Sequence, residues 1–250
     1  LAKTRFLTQK EQNMSPDIHA LQTGSSIQRD GLNHQAIEDY LKTIYMLEQE
    51  ESPVSTSRIA AARDVKAGSA TSMIQRLHKF NLVEYRKHYG VTLTDAGREI
   101  ALEVLRHHRL VELYLMEALG FSWDEVHEQA DVLEHVISEK LEERMAAVLN
   151  YPEFDPHGDP IPSKEGVMAV VNNRPLATLK TGETAVVSRV PDDTDGNLLR
   201  HLAELGLVPG TAFTVTGIAS IEGPMMLDIN GNPAVIELKV ARAVLVENVK

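Results

Sequence analysis

His127, Asp131, Glu134 and His135 fall at i, i+4, i+7 and i+8 in the stretch WDEVHEQADVLEHVISEKLEE. On an α-helix of 3.6 residues per turn these positions share one face, so ring nitrogens and carboxylate oxygens can converge on one point. Upstream, His108 and Glu112 in RHHRLVELYL repeat the i, i+4 pairing. Six such donors on two consecutive helices suit one or two divalent metal ions. An acidic helix face is more often merely solvated. The histidines and the second His–Glu pair are what turn the reading toward metal. The chain has no cysteine, which excludes disulfides and thiolate ligands and favours a harder ion held by nitrogen and oxygen.

The elements that must position these donors are legible in the pattern around them. Residues 1–31 are polar and without period, and read as a flexible tail. From Asn33 the segment HQAIEDYLKTIYMLEQEE sets Ile37, Tyr40, Leu41, Ile44 and Leu47 on one helical face. A second helix follows in SPVSTSRIAAARDV, with Ser55 or Thr56 as N-cap. A turn at Ala67-Gly68, a helix from about Ser69 to Phe80 and a short hairpin through HYGVTLTDAGREI complete the order of a winged helix-turn-helix. Thr94 and Asp95 open a long helix that Gly120 stops. Ser122 is the expected cap of the next helix, which carries the four-donor face. SEKLEERMAAVLN forms another, ending near Tyr151-Pro152.

The fold class expected is therefore multidomain and mainly α with a small β domain. Residues 1–31 form the tail, 32–96 a winged helix-turn-helix domain, 97–151 a helical dimerisation domain and 152–175 a Pro/Gly-rich polar linker. In 176–250 the apolar period switches to two, with Asn230-Gly231 marking a hairpin, and an SH3-like β-barrel is expected. Apolar positions Leu102, Leu105, Leu113, Leu115, Met116, Val132, Val136, Ile137, Leu141 and Met145 exceed what a lone helical pair needs, which suits a homodimer interface, with packing on the winged domain as the alternative.

The net charge of −11 argues against a polyanion only if taken whole. Residues 1–96 hold 12 basic and 11 acidic residues, and the remainder 13 and 25. The front of the chain is thus free to approach DNA while the acid concentrates around the donors. Lys66, Ser69, Thr71, Ser72 and Arg76 lie at or near the groove-facing part of the third helix, and Arg86 and Lys87 sit in the wing. Their types favour phosphate contact over base reading. No apolar run reaches the length of a membrane span and no signal peptide is visible. A soluble protein of the bacterial cytoplasm, without membrane partner or small-molecule substrate, is expected.

AIEDYLKTIYMLE, GVTLTDAGREIALEVLRHHRLVE, VHEQADVLEHVISEKLEERM and HGDPIP, in this order over residues 32–250, resemble the diphtheria toxin repressor and manganese transport regulator family of metal-dependent repressors. The resemblance implies a regulatory (primary) site of Asp39, Asp131, Glu134 and His135. It implies an ancillary site of His108, Glu112 and His127, with Asp195 as a further ligand. Asp195 stands in the turn PDDTDG, where aspartate is equally favoured for its own backbone bonds. The Asp39 and Asp131 positions hold methionine and cysteine in iron-responsive members and carboxylates in manganese-responsive ones. Two positions depart from the family. Leu198 replaces a ligand of the third domain, and Lys42 replaces a glutamate of the short manganese regulators. The implied function is a dimeric repressor that binds palindromic operator DNA when loaded with Mn(II), with Fe(II) as the alternative and Zn(II) able to occupy the sites in vitro. From another class, a di-iron or di-manganese carboxylate enzyme would need Glu-x-x-His pairs on two helices. Here Glu134 and His135 are contiguous and no second pair appears, so an enzyme is not expected.

Overall fold

A computed structural model describes residues 34–190, 196–220 and 223–250. The tail 1–31 and Asp195 lie outside them. The chain divides into two compact units, 1–101 and 102–250.

In the first unit, helix α1 (His34–Glu48) buries Ile37, Tyr40, Leu41, Ile44 and Tyr45, and Leu47 is only half-buried. Helix α2 (Thr56–Ala62) starts at the expected cap, where Ser55 Oγ accepts from Arg58 N. Helix α3 (Ala67–Lys79) begins earlier than expected. Ala67 and Gly68 are its first turn, behind Lys66 as N-cap, and the reversal falls instead at Asp64, which takes φ 47°. Ala70, Ile74 and Leu77 bury its inner face, the spacing of an amphipathic helix. Strands β1 (Val83–Arg86) and β2 (Gly90–Leu93) form the wing, paired from Val83↔Leu93 to Arg86↔Gly90. Val54 bridges to Val91 and fixes the root of the wing.

Helix α4 (Asp95–Leu119) begins where Thr94 Oγ1 accepts from Gly97 N. Gly120, at φ 74°, closes it with Phe121 N bonded back to Leu115 O, a Schellman ending. The four-donor face does not ride on one helix. Helix α5 (Val126–Leu133) begins after Glu125, not at Ser122, whose hydroxyl donates to the Glu125 carboxylate instead. It stops before Glu134, and a turn leads to Ser138, the N-cap of α6 (Glu139–Val148). Leu110, Val111, Leu115, Val126, Ala130, Met145 and Ala146 pack α4, α5 and α6 together.

The last third builds one antiparallel sheet in the order β3-β8-β4-β5-β6-β7. Its strands are β3 (Arg174–Pro175), β4 (Thr184–Arg189), β5 (Ala212–Ile218), β6 (Met225–Ile229), β7 (Asn232–Ile236) and β8 (Leu245–Glu247). The edge strands β3 and β7 do not pair with each other, so among the described residues the sheet is not closed into the expected barrel. Asn230 and Gly231 take positive φ between β6 and β7, as a tight hairpin requires. Helix α7 (Gly196–Leu205) ends at Gly206 as expected, and a short α8 (Leu238–Ala243) precedes β8. Trp123, from the turn before α5, is part of this domain's core. The first part of the linker 152–175 is packed, with Asp155, His157, Asp159 and Ile161 buried, while Val167 and Val170 further on are exposed.

Glu142 ties α6 to α4. It is buried and accepts from Arg106 Nε at 2.5 Å, with His107 Nε2 at 3.4 Å. Burial alone would raise its carboxyl, but His107 and Arg106 outweigh that and hold it down to about 2. A folded value below the ordinary 4.5 stabilises the fold fully above that value, and the contribution is lost as pH falls toward 2. Glu142→Gln is expected to cost about 3 kcal/mol at pH 7 and progressively less below pH 4.5. Thermal melts at pH 7 and pH 3 measure this, and an equal loss at both would contradict it.

Candidate metal centre

His108 and Glu112, one turn apart on α4, are both buried. His108 is the hub. Its Nε2 lies 3.0 Å from Glu112 Oε1 and 3.2 Å from His127 Nδ1, and its Nδ1 lies 2.5 Å from Glu134 Oε2 and 3.4 Å from Asp131 Oδ1. His127 Nδ1 is 3.2 Å from Glu112 Oε1, and His127 Nε2 is 3.7 Å from Asp131 Oδ2. His135 Nε2 is 3.3 Å from Glu134 Oε1. His108, His127 and Asp131 each offer a donor atom within 4.8 Å of the others. The structure thus draws together residues that the resemblance assigns to two separate sites.

The early end of α5 is part of this geometry. Asp131 and His127 remain one helical turn apart, whereas Glu134 leaves the helix and its carboxylate is fully buried against His108. The backbone carbonyl of Glu134 also faces His107 Nδ1 at 3.2 Å. Burial would raise the Glu112 carboxyl, yet hydrogen bonds from His108 and His127 hold it well below the usual carboxylate range. The hydrogen bond to Glu112 raises His127 against the opposing effects of burial and of His108.

A second donor set was not visible in the sequence. Glu112, Asp155 and His157, all buried, bring one donor atom each within 4.8 Å. His157 is 1% exposed, and its Nδ1 has no hydrogen-bond partner while lying 3.9 Å from Glu112 Oε2. A buried imidazole nitrogen left unpaired beside two carboxylates is what a cation site would use. The signal for it in the sequence is HGDPIP, whose composition is that of a polar connector. The first set offers two imidazoles and one carboxylate, the second two carboxylates and one imidazole, and a nitrogen and oxygen donor set without sulfur fits a first-row divalent ion such as Mn(II) or Fe(II).

Asp39 lies on α1 in the N-terminal unit. Its Oδ2 accepts from Arg63 Nη2 at 2.7 Å, and Arg63 also lies over the Tyr40 ring. Lys42 is on the same helix, and Leu198 packs against the β-domain core.

Of the DNA-contact candidates, Lys66, Ser69, Ser72, Arg86 and Lys87 are exposed, and Thr71 and Arg76 are half-buried. The Thr71 hydroxyl donates to Ala67 O within its own helix. Gln75 and Lys79 extend the exposed stripe by further steps of three and four, and Tyr89 stands exposed at the tip of the wing. Helical spacing could have named the first two.

A winged helix-turn-helix followed by a donor-rich helical domain defines a metal-dependent DNA-binding regulator. Family models agree along the chain. Residues 34–91 match the N-terminal DNA-binding domain of iron-dependent repressors, 94–163 their metal-binding and dimerisation domain, and 174–248 the FeoA domain. The iron-dependent repressor IdeR of Mycobacterium leprae is 35% identical over 226 residues, covering 85% of this chain and 96% of that protein. A manganese-dependent transcriptional repressor solved in complex with manganese superposes with a TM-score of 0.76 at 36% identity, covering 84% and 98% of the two chains. The manganese regulator SloR gives 0.66 at 32%, covering 84% and 97%. The chain belongs to the family of the diphtheria toxin repressor and the manganese transport regulator. It is a metal-dependent transcriptional repressor and not an enzyme. No helix among the described residues is long and apolar enough to cross a membrane.

A metal ion binds only the neutral form of His127 and so competes with its proton. Because the His127 value is raised, that competition begins at a higher pH than for an ordinary histidine. Mn(II) uptake at pH 7 is expected to release protons, and affinity to fall steadily from pH 7.5 to 5.5. Calorimetry in buffers of different ionisation heat counts the protons, and a count of zero would contradict the assignment.

Proposed function

We propose that Mn(II) is the activating ion and that the loaded homodimer binds a palindromic operator, repressing genes of metal homeostasis. The observation that carries this reading is Asp131, a carboxylate within 4.8 Å of His108 and His127. It stands where, by the resemblance, iron-responsive members hold sulfur. Oxygen donors suit Mn(II), and discrimination against tighter-binding ions then rests on coordination geometry and availability. The manganese-dependent repressor at 36% identity supports the same ion. The iron-dependent repressor at 35% supports Fe(II) as the second reading.

In the primary site we assign Asp39, Asp131, Glu134 and His135, and in the ancillary site His108, Glu112, His127 and Asp195. Glu112, Asp155 and His157 offer further donors. Asp39 belongs to the DNA-binding unit and the other primary ligands to the helical domain. Metal and DNA that favour the same arrangement then strengthen each other reciprocally. Lys66, Ser69, Thr71, Ser72, Arg76, Arg86 and Lys87 are the assigned DNA contacts. The dimer surface is the outer face of α5, the following turn and α6, where Val132 is 67% exposed, Val136 73%, Leu141 47% and Val148 67%. Apolar residues clustered this way are buried in a stable assembly.

Operator binding titrated anaerobically with Mn(II), Fe(II) and Zn(II) tests the metal. Mn(II) is expected to promote it at the lowest concentration relative to its cellular availability. Equal binding with chelator and with Mn(II) would sink the mechanism. Asp131→Ala is expected to abolish metal-dependent binding. Arg76→Ala is expected to weaken DNA contact severalfold and leave Mn(II) calorimetry unchanged. Val136→Glu is expected to shift the protein toward monomer in sedimentation, and an unchanged dimer would remove this surface from the assignment.

A further inference from the structure

Each donor of the Glu112–Asp155–His157 set is placed by a different part of the C-terminal unit. Glu112 is on α4. Asp155 and His157 sit in a tight loop whose amides close on themselves: His157 N and Asp159 N both donate to Asp155 Oδ1, and Asp155 N donates to Asp159 O. Asp159 is buried and fixes this loop to its surroundings. Its Oδ1 accepts from Arg109 Nη2 at 3.0 Å and its Oδ2 from Arg189 Nε at 2.9 Å.

Arg189 comes from the β domain, at the end of β4. The pairing of β4 with β8 shifts register between Val187 and Arg189, and such a bulge re-aims the side chains beside it. The same stretch of β4 presses on the loop backbone. Val190 N donates to His157 O at 3.0 Å. At Gly158 (φ 89°) a Cβ would stand 2.0 Å from Ser188 O and 2.9 Å from Arg189 Cα, so only glycine permits the contact. On its other side the His157 ring stacks on Trp123, 5.5 Å between centroids, and its Nε2 lies 3.1 Å from Trp123 O.

We infer that Arg189, acting through Asp159, is a positioning residue for the Glu112–Asp155–His157 set, so that the grip of the β domain on the 155–159 loop sets the metal affinity there. The inference rests on the reading of that set as a metal site. Arg189 touches none of the three donors and acts only by holding the loop that carries two of them. Partners that bond a metal ligand directly change metal affinity roughly 10- to 100-fold when removed, and Arg189, one contact further out, falls at the low end of that range.

Arg189 is partly exposed, at 34%, so Arg189→Ala is expected to fold. Two measurements on the full-length protein test the inference. In the metal-free protein, amide exchange at residues 157–161 is expected to quicken about tenfold in Arg189→Ala, with exchange in α4 unchanged. In a Mn(II) titration followed by electron paramagnetic resonance, His157→Ala is expected to remove one class of bound ion. Arg189→Ala is expected to weaken that same class about tenfold, and Arg189→Lys to restore part of it through its remaining charge. Wild-type exchange together with a wild-type isotherm in Arg189→Ala would overturn the inference. An isotherm untouched by His157→Ala would overturn the metal reading of the set, while the exchange data would still decide whether Arg189 holds the loop.

Discussion

Everything in the metal-binding region depends on one buried imidazole. His108 stands between carboxylates on two sides, Glu112 beyond its Nε2 and Glu134 and Asp131 beyond its Nδ1. Glu112 and Glu134 are themselves buried. Buried carboxylates are tolerated only where a cation or donors answer their charge. The imidazole sets a ring nitrogen against carboxylates on both sides, and a divalent ion would supply a larger charge at the same place. Under the metal assignment proposed above, proton and metal would compete for one cluster.

The local backbone bends to this constraint. On α4 the i, i+4 spacing of His108 and Glu112 suffices. On α5 a continued helix would keep Glu134 and His135 on the face of Asp131. Instead the helix ends at Leu133 and a turn carries Glu134 inward while Ser138 starts the next helix. The connector obeys the same rule at larger scale. Asp155, His157 and Asp159 are buried because Arg109, Arg189 and the loop's own amides answer their polar atoms. Asp155, crowded by burial and by Asp159 and Glu112, has its carboxyl raised despite Arg109 nearby.

The elements that follow a local rule were legible in the sequence. The inner face of α1, the Ser55 cap, the Gly120 stop and the Asn230-Gly231 hairpin each follow from residues a few positions apart. So did the donors on α4 and α5, because helical spacing brings them together. What escaped depended on contacts distant in sequence. HGDPIP looks like a solvated connector, since nothing local says that Arg109, 50 residues upstream, and Arg189, 30 downstream, meet at Asp159. The start of α3 at Ala67 escaped for a different reason. Glycine at a second helical position reads as a turn, and only the half-turn at Asp64, in a left-handed conformation that aspartate tolerates, places the reversal earlier.

Glu112 binds the parts of the site into one system. Its Oε1 faces His108 and His127 and its Oε2 faces His157, so one carboxylate belongs to both donor sets. Two sets that share a charged group cannot fill independently. An ion in either withdraws negative charge from the other and, at the same time, fixes the orientation of the carboxylate that both use. The first effect opposes a second ion and the second favours it. Which one prevails depends on how firmly Glu112 is already oriented without metal, and here hydrogen bonds from His108 and His127 orient it already. On the metal reading proposed above, little ordering remains for a first ion to supply, so the shared charge of Glu112 is expected to make a second ion bind more weakly than the first.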